Sequence, residues 1–149
     1  MNELEQRIHA EIAEKGPIPF SRFMERALYE PDLGYYETQQ EVGRSGDFYT
    51  SVSVGSLYGE LLAFQFADWL SDIEGPVQLV EVGAHDGRLA RDVLAYLRDW
   101  RPELYERCEL ILWETSAKHR QWQEVVLVDY LEKIQWTPKL ESFNGVFYY

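Results

Sequence analysis

The segment Val77-Gln78-Leu79-Val80-Glu81-Val82 constrains this chain more than any other. It is a short, nearly continuous apolar run that follows Gly75-Pro76 and stops at Gly83. A run of that length between turn residues reads as a strand buried on both faces, and such strands belong to parallel sheets covered by helices. Downstream, Leu89, Val93, Leu94, Leu97 and Trp100 recur at helical spacing between Arg88 and Trp100, and Pro102 marks the end of that helix. Leu110-Ile111-Leu112-Trp113 is a second buried strand, ending at Glu114, and Ser116 can cap the helix after it. Phe143 to Tyr149 reads as a last strand, because Val146-Phe147-Tyr148-Tyr149 is β-branched and aromatic. Val125-Val126-Leu127-Val128 admits two readings, a strand or the apolar end of the helix begun at Ser116. The second is preferred: it makes Lys133-Ile134-Gln135-Trp136 the strand and leaves a full helical crossover between parallel neighbours. The order of elements is that of an α/β fold with a parallel sheet.

Upstream, Leu4, Ile8 and Ile12 form a helical stripe that Gly16-Pro17-Ile18-Pro19 stops. Ser21 is placed to cap a short helix with Phe23, Met24, Ala27 and Leu28 on its apolar side, and Pro31 closes it. Residues Gly34 to Gly55 lack a period and read as a long ordered loop, a class that tends to be functional. A helix from about Ser56 to Leu70 offers Leu57, Leu61, Leu62, Ala67 and Trp69 to its buried side. The division expected is a helical N-terminal extension with its loop over 1–74 and the sheet over 75–149.

With 46% hydrophobic residues among 149, the chain can bury a core and is not disordered. Its 14 basic and 26 acidic residues leave a net charge of −12, which disfavours nucleic acid as a partner. That charge suits a cationic ligand, although a merely solvated acidic surface is the blander account. Cys108 is the single cysteine, so neither an internal disulfide nor a multi-cysteine metal cluster is expected, and no metal is assigned. The polar start lacks a secretion signal, and no apolar stretch approaches the roughly 20 residues that span a bilayer. The expectation is a cytoplasmic protein without a membrane partner.

Glu81-Val82-Gly83-Ala84-His85-Asp86-Gly87-Arg88 lies between a strand and a helix, where α/β sheets place ligands. Gly83 permits a sharp turn and close backbone approach, and Gly87 opens a helix whose N–H groups face the site. A dinucleotide fingerprint would need glycine at 83, 85 and 88; only the first is present, which disfavours a nicotinamide-dependent oxidoreductase. A carboxylate at Glu81 instead suits a ligand carrying positive charge, such as the ammonium and sulfonium of S-adenosylmethionine. Glu114, ending the next strand, can accept the hydroxyls of its ribose. On spacing alone a structural account stays open: both glycines could serve a turn, and Glu114 could be an N-terminal helix charge.

Further motifs add weight: Gly16-Pro17-Ile18 with Phe23-Met24, Pro31-Asp32-Leu33-Gly34-Tyr35-Tyr36, and Gly46-Asp47-Phe48-Tyr49-Thr50-Ser51. To these belong Gly59-Glu60-Leu61-Leu62, Trp113-Glu114-Thr115-Ser116 and Phe143-Asn144-Gly145-Val146. In these motifs, with Glu81-Val82-Gly83 and Gly87, the chain resembles the MidA-like methyltransferases, which include the mitochondrial complex I assembly methyltransferase. The resemblance runs from about Gly16 to Tyr149. It implies a Rossmann-like sheet with a helical N-terminal extension and methyl transfer from S-adenosylmethionine, in the mitochondrial branch to an arginine of a protein partner. It also implies that Gly46, Asp47, Thr50 and Ser51 lie in a loop covering the cofactor, beside Glu81, Gly83, Gly87 and Glu114; Asp47 and Thr50 satisfying the loop's own backbone is the alternative.

Three departures qualify it. His85 stands where the family has glycine; a solvent-facing loop histidine is the reading preferred over a ligand contact. Val52-Ser53 replace proline-glutamate. The family's last strand continues into an asparagine-glutamate-leucine-leucine-aspartate stretch not found before Tyr149, so the sheet is expected to be incomplete at the C-terminus, and no catalytic base is assigned. A non-catalytic binding or assembly module is therefore the competing function. The uncharged strand Val146–Tyr149 is also expected to offer an edge for self-association.

Overall fold

The computed structural model describes residues 1–38 and 50–149. The chain divides into two compact units, Met1–Asp47 and Phe48–Tyr149.

In the first unit, α1 (Glu3–Lys15) starts with a capping box: the Asn2 side chain accepts from the Glu5 N–H at 2.8 Å, and the Glu5 carboxylate accepts from the Asn2 N–H at 2.7 Å. The next helix, α2 (Phe20–Tyr29), begins after Pro19 rather than at Ser21. Pro19 has extended backbone and itself occupies the capping position, so Ser21 falls inside the first turn. Few of the described residues of this unit are buried. Charge links its helices instead: Glu11 pairs with Arg22 and Arg26, and Glu30 with Arg26 and Arg7. A short helix, α3 (Tyr35–Thr38), occupies part of the stretch expected to be loop.

The second unit opens on a single 3-10 turn, Ser51–Ser53, and α4 (Leu57–Ser71). It continues β1 (Val77–Val82), α5 (Arg88–Trp100), α6 (Pro102–Arg107), β2 (Cys108–Trp113), α7 (Ala117–Val126), a second 3-10 turn (Val128–Lys133), β3 (Ile134–Thr137) and β4 (Gly145–Tyr148). The sheet is parallel throughout, in the order β3-β2-β1-β4. This is a Rossmann-like sheet with helical crossovers. Val125 and Val126 end α7 and β3 begins at Ile134, so the preferred reading of that stretch holds, with the helix two residues shorter than expected and the strand starting one residue later.

Val77 and Leu79 of β1, with Cys108, Leu110 and Leu112 of β2, face a core built from α4, α5 and α6. By strand alternation Glu81 lies on this same face. The buried side of α4 differs from expectation. Leu57, Leu61 and Trp69 are exposed, whereas Gly59, Ala63, Phe66, Ala67 and Leu70 are buried. Close helix packing explains the choice: a Cβ at position 59 would stand 2.6 Å from the Asp92 Cβ of α5, so the small residues of α4 face inward and the larger ones turn out. Trp100 is likewise exposed, because the chain turns there into α6, where Leu104 and Tyr105 take the buried places. Pro102 thus starts a helix as well as ending one, at the first position, where a missing N–H costs nothing.

Two cations close helix ends. Arg107 donates to the carbonyls of Leu70, Ile73 and Gly75 at 2.6–2.9 Å. Lys133 donates to those of Tyr105 and Glu106 at 3.0 Å. Both add charged donors to carbonyls at or just beyond a helix C-terminus, where the intrahelical ladder runs out.

Candidate functional site

The strand β1 delivers Glu81 and Val82 to a loop with three left-handed residues, Gly83 (φ 70°), His85 (φ 49°) and Gly87 (φ 88°). The two glycines have different reasons to be there. A Cβ on Gly87 would press on the Leu127 side chain at 3.0 Å, so this glycine lets the end of α7 pack under the loop. A Cβ on Gly83 would meet nothing within 4 Å, so the backbone there is open to approach. The helix that follows does not present all of its N-terminal N–H groups: that of Arg88 is taken by the Asp86 carboxylate at 3.2 Å, which also pairs with the Arg88 guanidinium.

Glu81 is 2% exposed. Tyr148, its register partner on β4, donates its hydroxyl to Glu81 Oε2 at 2.9 Å. Burial pushes the Glu81 carboxyl up to about 7; the Tyr148 hydrogen bond opposes this and the Asp86 charge adds to it. Among the described residues no lysine or arginine pairs with it. Tyr148 packs against Phe66 of α4 at 4.9 Å between ring centroids, and its hydroxyl is held neutral by the same burial.

Glu114 is held in the opposite way. Its N–H donates to the Thr137 carbonyl at 2.9 Å, extending the β2–β3 ladder by one residue. Its Oε1 accepts from the Ser116 N–H at 2.8 Å, and its Oε2 accepts from Gln123 Nε2 at 3.1 Å and lies 3.2 Å from His119 Nδ1. Burial alone would raise this carboxyl, but the bonds from His119, Ser116 and Gln123 outweigh it and hold the group below the ordinary carboxylate range. Gln123 is fully buried and joins the two strand ends: Nε2 also donates to the His85 carbonyl at 3.0 Å, while Oε1 accepts from Trp136 Nε1 at 2.8 Å.

His85 is only partly open to solvent. It is half-buried beside His119 and Trp122, with centroids 5.8 and 5.7 Å away, and His119 stacks on Trp122 at 5.0 Å. Thr50 and Ser51 lie at the start of the second unit, and neighbouring Val52, one of the departures, packs against the core. Gly46 and Asp47 lie outside the described residues. Sequence reasoning gives Tyr148 a place in the last strand but no part in the site, and it misses Gln123 and His119; pairing Tyr148 with Glu81 needs the strand register, and nothing in a polar residue inside a helix announces a bridge.

The site offers one buried carboxyl near neutrality, one ionised carboxylate and an open backbone loop between them. Among the described residues no group of three or more metal-ligating side chains occurs. Cys108 is buried and burial pushes its thiol up to about 11, so it is no nucleophile.

Residues 61–149 match a family described as "Putative S-adenosyl-L-methionine-dependent methyltransferase". The chain is similar to the "Protein arginine methyltransferase NDUFAF7 homolog, mitochondrial" of Drosophila melanogaster, 37% identical over 102 residues, which are 67% of this chain and 23% of that protein. It is 32% identical over 135 residues to the Bos taurus "Protein arginine methyltransferase NDUFAF7, mitochondrial", covering 88% of this chain and 30% of that one. Among solved structures, a Burkholderia thailandensis protein bound to S-adenosyl-homocysteine superposes with a TM-score of 0.75 at 32% identity, covering 97% of this chain and 39% of that one. The chain thus spans about a quarter of the length of these curated relatives. Their mitochondrial location overturns the expectation of a cytoplasmic protein.

Proposed function

The chain belongs to the MidA-like family of S-adenosylmethionine-dependent methyltransferases, and from that premise we propose that its strand ends form the cofactor site of a methyltransferase acting on a protein. The observation that carries the reading is the pairing of two glutamates across one open loop, Glu81 one residue before the end of β1 and Glu114 tied to the loop through Gln123. The relative bound to S-adenosyl-homocysteine supports the same ligand class.

In this proposal Glu81 meets the ammonium of the amino-acid portion, and Gly83 lets the ligand lie against bare backbone. Gly87 shapes the loop, and Gly46, Asp47, Thr50 and Ser51 contribute from the segment before α4. Glu114 takes the ribose. Three of about four acceptor positions on its carboxylate are already used. It therefore has room for one hydroxyl through Oε1, not the two first expected. S-adenosylmethionine supplies an electrophilic methyl group; the residues named bind and orient it.

The acceptor proposed is an arginine of a partner protein, since the curated relatives carry that activity in their names. A guanidinium keeps its proton to a pKa above about 12, so transfer to it needs carboxylates that orient it and take that proton. None of the residues described is assigned that role. Calorimetry with S-adenosylmethionine, S-adenosyl-homocysteine and NAD tests the site. Binding of the first two and not the third is expected; preference for NAD, or no binding by the folded chain, would sink it. Binding without transfer of labelled methyl to protein would favour a binding module.

A further inference from the structure

We propose that Tyr148 is a positioning residue for ligand binding: burial keeps Glu81 a neutral acid, Tyr148 fixes one of its oxygens by donating to it, and the arriving ammonium of the ligand displaces the Glu81 proton to solvent. This rests on the cofactor reading above and adds a coupling to it.

The geometry is unusual for a carboxylate assigned to meet a cation. Glu81 sits on the core face of β1, among apolar side chains, with only 2% of its surface exposed. A permanent charge there would need a partner. Its neighbours do not supply one. From β4 comes the Tyr148 hydroxyl, which donates to Oε2 and leaves Oε1 without a hydrogen bond among the described residues. From the loop comes Asp86, an acid already paired with Arg88. Leu112 faces it from β2 and Phe66 of α4 lies behind the Tyr148 ring. Cys108, whose charge would bear on Tyr148, is itself held protonated. The site thus presents an acid poised near neutrality, with one oxygen fixed and the other available.

The step balances simply. The ligand's ammonium keeps its proton; the Glu81 O–H bond breaks, its proton goes to bulk water, and an ion pair replaces a neutral acid. Tyr148 keeps its own proton throughout and donates to the carboxylate in both states. Its bond is stronger to the charged form, so it eases the release that burial resists. A ligand lacking the ammonium gains nothing from this exchange.

The test measures dissociation constants of the 149-residue chain for S-adenosyl-homocysteine and for 5′-methylthioadenosine, which lacks the amino-acid portion, between pH 5.5 and 8.5. Affinity for the first is expected to fall about tenfold per pH unit below neutrality, the limit for one linked proton, while affinity for the second follows a flatter course. Tyr148→Phe should weaken the first ligand at pH 8, leave the second unchanged and move the bend of the profile upward. Glu81→Gln should abolish the difference in pH dependence between the ligands. Parallel profiles in the wild-type chain, or a persistent difference in Glu81→Gln, would overturn the coupling while leaving the cofactor reading intact. If neither ligand binds at any pH, the cofactor reading fails first. Should Tyr148→Phe not fold by circular dichroism, the wild-type comparison and Glu81→Gln decide the matter.

Discussion

Two neighbouring strands carry a glutamate at the same edge of the sheet, Glu81 one residue before the end of β1 and Glu114 one residue past the end of β2, and the two could hardly be less alike. At the end of β1, Glu81 is buried beside apolar groups and one tyrosine hydroxyl, and its acidity is weakened to about 7. At the end of β2, Glu114 is nearly as enclosed, yet three donors converge on it and its acidity is strengthened. Burial has the same sign at both; the count of donors decides which way each carboxyl moves. A glutamate at a strand end is therefore not one kind of site. Glu81 is a group whose charge state a ligand can change, whereas Glu114 is a fixed anion that organises α7 and the loop.

The sharpest way to break this contrast is at the bridge. Gln123→Ala removes the side chain that serves His85, Glu114 and Trp136 at once and opens a cavity beneath the loop. Orphaned buried groups cost about 1–3 kcal/mol each. A loss of about 3 kcal/mol in urea-monitored stability is expected; under 0.5 kcal/mol would mean Glu114 is not organised in this way.

Glu81→Gln should act in the opposite direction. A carboxyl raised to about 7 in the folded chain binds a proton that the unfolded chain has already released near pH 4.5. The folded state then binds more protons between these values, so stability falls as pH rises from the lower to the higher. The penalty is on the order of 3 kcal/mol above pH 7. The glutamine variant should be about 1–3 kcal/mol more stable than wild type at pH 8 and about equal at pH 5, by thermal unfolding at both. Equal stabilities at pH 8 would show that Glu81 is not a strained charge. Glu114, with its depressed value, should keep its contribution down to its ordinary range and lose it only on further acidification.

The glycines between the two ends give a smaller, paired test. Gly87→Ala adds a contact with Leu127 to an unfavourable φ, and should cost about 2 kcal/mol. Gly83→Ala carries the φ strain alone, about 1 kcal/mol, yet should weaken S-adenosyl-homocysteine binding more than Gly87→Ala does. The reverse order of binding effects would remove Gly83 from the ligand surface.

The smallest effect concerns β4, which carries Tyr148 and pairs with β1 on one side only. Phe147 is half-exposed and Tyr149 almost fully so. For the 149-residue chain, the weak self-association expected of this uncharged edge would be visible as a rise in scattering mass with concentration. A constant monomer mass with protected Val146 and Phe147 amides would rule it out.

The sheet was legible because buried parallel strands leave nearly continuous apolar runs, and Val77–Val82 is such a run. Both strand-end glutamates and both loop glycines were legible for the same reason, since the break in apolarity marks them. What was hidden depends on contacts between segments distant in sequence. The inward face of α4 is set by its approach to Asp92, so the large residues favoured from sequence proved to be the outward ones. The ring neighbours of His85 are hidden for the same reason, since His119 and Trp122 lie more than 30 positions away. In the first unit, a proline usurped the cap assigned to Ser21, a choice that hydrogen-bonding propensity alone does not reveal.

Arg107 has a reach beyond helix capping. It stands one residue before β2 and holds the carbonyl of Gly75, two residues before β1, so it clamps both strands at their starting ends, where Val77 pairs with Cys108. Side chains alternate faces along a strand, and a slip of one position inverts them all. Glu81 shares the parity of Val77 and Leu79, so a slip at the clamp would turn it away from Tyr148 and present Val80 or Val82 in its place. The phase of the whole strand is thus set at one end of the sheet and read out, four residues later, as the presence or absence of an acid at the other.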